Sequence, residues 1–143
     1  MEVSLISKVT KEVFFQVIAD SIVDDINQNT KKSINLESVK KGFKFNKTLV
    51  SNQKALCTIL EFKKDEIISI QYKSEKMLSV ITYTFWPNDE GSEIRFASEN
   101  YRSNGKEMSV MFGLKHQAKR NMIKRLKQVE VFALDKMKGQ SVD

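Results

Sequence analysis

The sequence predicts an α+β fold: a curved antiparallel sheet around one long C-terminal helix, with two short helices after the first strand. Three observations predict it. Segments of strand period follow one another between Gly42 and Arg102 with connections of two to five residues, which is hairpin spacing. From Met108 to Ala133 the apolar residues switch to a spacing of three or four, the period of a helix. That last stretch, Lys106 to Lys138, holds nine Lys/Arg against Glu107, Glu130 and Asp135, which accounts for the chain's whole net charge of +6.

With 143 residues the chain is read as one domain over 1–143, a size that buries about 68% of its unfolded surface. Its 41% hydrophobic and 29% charged residues fit a globular protein and exclude a disordered one. No apolar run reaches the roughly 18 residues of a membrane span. Met1 to Ser7 lacks the basic and apolar regions of a signal peptide, so the expected compartment is the cytoplasm. One cysteine, Cys57, and one histidine, His116, leave no internal disulfide, cysteine-based zinc cluster or histidine pair. No cofactor or metal is expected.

Alternation of Val3, Leu5, Ser7 and Val9 predicts a first strand over 2–9. Thr10 stands at an N-cap position, and Glu12 in the following turn suits the helix dipole. Val13, Phe14, Val17 and Ile18 give a helix over 11–19; Asp20 or Ser21 then caps a second over 21–29, which carries Ile22, Val23 and Ile26. Residues 30–41 read either as one helical turn around Leu36 and Val39 or as an edge strand. Strands follow over Gly42–Val50, Lys54–Lys63, Glu66–Ser74, Met77–Trp86 and Ser92–Arg102. Pro87, which cannot donate to a ladder, is expected to stop the fourth of these, before an Asn88–Gly91 turn. The long helix is expected to break near Gly113 or fray at its end.

Strand parity puts Ile68, Ile70, Tyr72, Ile81, Tyr83, Phe85, Ile94 and Phe96 on the sheet face turned toward the long helix, with Met108, Met111, Met122 and Phe132 facing them. These side chains either pack as a solid core or line a cavity, in which the Tyr72 and Tyr83 hydroxyls would orient a ligand. The opposite helix side carries His116, Arg120, Lys124 and Lys127. It is a solvated face or a surface for nucleic acid or an acidic protein, though it lacks interleaved aromatics and a phosphate loop. Asp24 and Asp25 are adjacent, and neighbours on a helix point apart, so they make no acid/base pair.

The order of elements resembles the helix-grip fold of the START-like, birch-pollen-allergen-like superfamily (SRPBCC). The closest likeness lies in Ile81-Thr82-Tyr83-Thr84-Phe85-Trp86-Pro87, a Gly-containing turn, and Ser92-Glu93-Ile94-Arg95-Phe96. The start, Met1 to Leu5 and Val13-Phe14-Phe15-Gln16-Val17-Ile18-Ala19-Asp20-Ser21, is similar to an uncharacterised family of small proteins from Gram-positive bacteria. The resemblance implies a small hydrophobic or amphipathic ligand held between sheet and helix. Six strands stand where larger members have seven, and no catalytic set of the superfamily is matched.

Overall fold

The computed structural model describes residues 1–50, 52–102 and 112–140. In chain order these form β1 (Glu2–Ser7), α1 (Lys11–Thr30), a 3-10 turn (Leu36–Ser38), β2 (Lys44–Thr48), β3 (Lys54–Lys63), β4 (Ile67–Lys73), β5 (Met77–Asn88), β6 (Gly91–Arg102) and α2 (Phe112–Gln140). Six antiparallel strands make one sheet in the order β1-β6-β5-β4-β3-β2. The meander β2 to β6 follows from its short turns, and β1 joins it beside β6.

The helix after β1 is continuous, not two helices bent at Asp20. Both presumed caps bond back along the helix instead. Ser21 Oγ donates to the Ile18 carbonyl at 2.7 Å, and Asp20 Oδ1 accepts from Gln16 Nε2 at 2.8 Å. Thr10 does cap α1, its hydroxyl accepting from the Val13 N–H at 3.4 Å. Between α1 and β2 the ambiguous segment takes the helical-turn form.

β5 continues through Pro87, against expectation. Two residues earlier, the Phe85 N–H donates to the Glu66 carbonyl at 2.9 Å. Pro87 has the same parity, so its nitrogen faces the side where β4 has not yet begun, and no ladder bond is lost. β1 is shorter than expected and ends at Ser7, because the chain turns there to bury Val9. A bulge in β3 between Ile59 and Glu61 shifts the side-chain parity. Phe62 thereby joins the inner face opposite Ile68.

The core lies between the inner sheet face and α1. Phe15 meets Phe85 edge-on at 5.3 Å and Phe62 at 5.6 Å between ring centroids. Each fully buried phenylalanine contributes about 1.5–3 kcal/mol. α2 packs on β1 and α1 through Met122, Leu126 and Ala133. It runs unbroken for 29 residues from Phe112, so the break expected near Gly113 is not seen. Its expected start at Lys106, with Met108 and Met111, lies outside the described residues. One member of the predicted inner stripe turns outward: Phe132 is 59% exposed beside the equally open Val131. Among the described residues, no helix is long and apolar enough to cross a membrane.

Candidate functional site: the cleft between α1 and α2

A cleft of about 630 Å³ lies between the two helices. Val17, Ile18, Ser21 and Asp24 recur at helical spacing on α1 and form one wall, with Asp20 beside them. On α2 the stripe Met122, Leu126, Val129 and Phe132 forms the other, edged by Arg125, Gln128 and Lys136. Tyr83 is the one lining residue from the sheet. Lys136 Nζ approaches Asp20 Oδ2 at 3.3 Å and joins the two walls. Both side chains are more than a third exposed, so this bridge adds about 0–1 kcal/mol.

The lining is apolar on the inside and charged at the edge, in a volume typical of small-molecule sites. Tyr83 packs its ring against Phe96 at 5.1 Å. Burial raises the pKa of its phenol, and the nearby Arg125 guanidinium partly opposes that rise. Among the described residues the hydroxyl has no hydrogen-bond partner, and it is not sealed from solvent. It therefore has a donor and lone pairs to offer a bound molecule.

The sequence-predicted cavity residues are dispersed. Tyr83 and Met122 meet at this cleft. Ile70, Phe85, Ile94 and Phe96 are enclosed in the core, while Ile81 packs half-buried against it. Tyr72 lines a separate, smaller hollow. The cleft thus lies between two helices, where the sequence pointed to a cavity between sheet and helix. Arg125, Gln128 and Lys136 were not singled out. Their spacing beside the Met122, Leu126, Val129 stripe carried that signal. Asp20 and Asp24 carried none, because the angle at which α1 meets α2 is not written in either helix.

On the other side of α2, His116, Arg120, Lys124 and Lys127 are all exposed. None of the four forms an ion pair among the described residues.

Over residues 1–122 the sequence matches the model of a family described as a domain of unknown function, DUF3284. The chain belongs to that family. The match ends at Met122, so the wall of the DUF3284 cleft from Arg125 onward lies beyond it. No curated protein matches this sequence.

Solved structures are similar in fold. The crystal structure of MLL2253 from Mesorhizobium loti is 15% identical, with 95% of this chain and 96% of that chain covered and a TM-score of 0.64. Ara h 8.0201 is 13% identical, with 94% and 97% covered and a TM-score of 0.62. The solution structure of BH1534 from Bacillus halodurans is 11% identical, with 90% and 94% covered and a TM-score of 0.62. At such identities the likeness is one of fold, and the fold of this DUF3284 chain is the α+β helix-grip fold that Ara h 8 has.

Proposed function

We propose that this DUF3284 chain is a one-domain, cytoplasmic member of the START-like superfamily that binds a small hydrophobic or amphipathic molecule between α1 and α2. The observation that carries the reading is the 630 Å³ cleft, apolar within and bearing the unpartnered Tyr83 hydroxyl. An apolar body would displace water from Val17, Ile18, Met122 and Val129, at about 25 cal/mol per Å² of apolar surface covered. Tyr83 would fix its orientation, and Arg125 would favour an acceptor or anionic end. Of the two hydroxyls in the lining, Ser21 is donated to its own helix, which leaves Tyr83 to meet a ligand. Native mass spectrometry of the purified protein, followed by titration with 1-anilinonaphthalene-8-sulfonate, tests this. A Val129→Trp variant with unchanged circular dichroism should lose most of the dye signal. Full binding by that variant would place the dye elsewhere and overturn the reading.

The second reading, an interaction surface for nucleic acid or an acidic protein, rests on the exposed, unpaired row His116, Arg120, Lys124 and Lys127. It requires complexes that weaken steeply as salt rises. An electrophoretic shift that is absent at physiological salt would remove it.

A further inference from the structure

One row of inner-face side chains is polar on four successive strands. The register places Cys57 opposite Tyr72, Tyr72 opposite Ser79 and Ser79 opposite Asn100, so four polar residues cross β3, β4, β5 and β6 side by side. The next row toward the core is apolar on three strands, Ile59, Ile70 and Ile81, and ends on Ser98 of β6. Beside the polar row, Lys47 on β2 points to the same face, opposite Ala55. A hollow of about 240 Å³ lies here, with Lys47, Tyr72 and Ser79 among its lining residues and Leu49, Ala55 and Met77 as its apolar walls.

A lysine on the inner face of a sheet costs desolvation unless it is paired. Lys47 is paired: its Nζ lies 2.7 Å from Asp25 Oδ2, with both side chains about a third exposed or less. The arrangement is braced from α1, where Asn29 donates to Asp25 Oδ1 at 3.2 Å and accepts from the Thr48 N–H at 3.2 Å. Asp25 takes one of the three ammonium protons. The ammonium also stands 5.8 Å from the Tyr72 ring centre. Among the described residues, two ammonium donors and the Tyr72 hydroxyl have no protein acceptor. Ser79 already donates to Asn100 Oδ1 at 2.7 Å. The Lys47 ammonium and the Tyr72 hydroxyl thus offer donors at this end, beside the hydroxyl lone pairs of Tyr72 and Ser79.

We propose that this hollow is a second binding site, taking the carboxylate of a small organic acid between the Lys47 ammonium and the Tyr72 hydroxyl. A planar monoanion can accept from two donors, one of them charged. A dianionic phosphate fits less well: Asp25 already pairs with Lys47, so an incoming anion is held by hydrogen-bond donors alone, and one charge costs less to hold that way than two. The volume suits a compact acid, with its apolar body on Leu49, Ala55 and Met77. The site is separate from the α1–α2 cleft and shares no lining residue with it.

Titration of benzoate followed by amide chemical shifts tests the proposal. Saturable shifts are expected at Lys47, Ala55, Tyr72 and Ser79. Tyr72→Phe, which removes one oxygen, and Lys47→Met should each weaken binding, the latter about tenfold for loss of one charge-assisted bond. Benzamide, neutral and of the same shape, should bind more weakly than benzoate. If Lys47→Met fails to fold, Tyr72→Phe and benzamide still decide, since both leave the Lys47–Asp25 pair intact. Equal affinity for benzoate and benzamide, no loss in Tyr72→Phe, or shifts confined to Val17, Met122 and Val129 would overturn it. Dye binding between the helices is read on those other residues, so either site can fail alone.

Discussion

Ser92 on β6 donates its hydroxyl to the carbonyl of Val9 at 2.7 Å, and both residues are wholly buried. The contact spans 83 positions of sequence and fixes the corner where β1 turns into α1. Ser7 completes it, accepting from the Val9 N–H at 3.1 Å. Ser92→Ala leaves a buried carbonyl without that donor, at an expected cost of about 1–3 kcal/mol. Urea unfolding should show the midpoint falling with an unchanged slope.

Gly91, at the start of the same strand, is required for a different reason. Its φ is +156°, and a Cβ there would stand 2.6 Å from the Ser7 carbonyl oxygen and 2.7 Å from Lys8 backbone atoms. Gly91→Ala should therefore destabilise by roughly 3 kcal/mol or prevent folding. Gly42, at φ +90° with nothing near a Cβ, supplies the contrast. Gly42→Ala should cost only the backbone strain of about 1–2 kcal/mol. Comparable midpoints for the two variants would refute this account of the corner.

Alkaline pH should unfold the protein through its buried thiol before its phenols. Burial pushes Cys57 from an ordinary 9.0 up to about 11, with Lys47 opposing the rise. A raised folded pKa gives stability that is complete below pH 9 and lost as pH climbs through 11, roughly 2–3 kcal/mol in all. Tyr72 and Tyr83 are raised in the same direction, chiefly by burial, and extend the loss above pH 10. Urea midpoints at pH 8 and pH 11 should differ less in Cys57→Ala than in the parent. An identical pH dependence would assign the loss to other groups.

The outer face of α2 should contribute little to folding. Arg120, Lys124 and Lys127 are exposed and form no ion pair among the described residues. Replacing each by glutamine should move stability by no more than about 0.5 kcal/mol. Thermal denaturation of the triple variant checks this. A large drop in midpoint would mean that this face is part of the packing.

Strand existence was legible because alternation is local: Ile81, Tyr83 and Phe85 announce a face by their spacing alone. The stop at Pro87 was misread because its consequence depends on where β4 begins, which no residue of β5 records. The continuity of α1 was misread for a similar reason. Asp20 and Ser21 are good caps in isolation, yet here they find partners one turn back along the helix.

The sequence by itself determined the order of elements, the amphipathic C-terminal helix and the concentration of charge on that helix, since each follows from periodicity within a few residues. Only the tertiary structure decided where empty space remains. α1 packs over the sheet with Phe15 on Phe85, while α2 lies against β1 and α1 and leaves a cleft from Val17 to Val129 over Tyr83. Cavities form where two surfaces fail to meet, and that depends on the docking of elements about a hundred residues apart. The docking of α1 against β2 likewise sets Asp25 against Lys47, across 22 positions, and turns an inward lysine into a held donor.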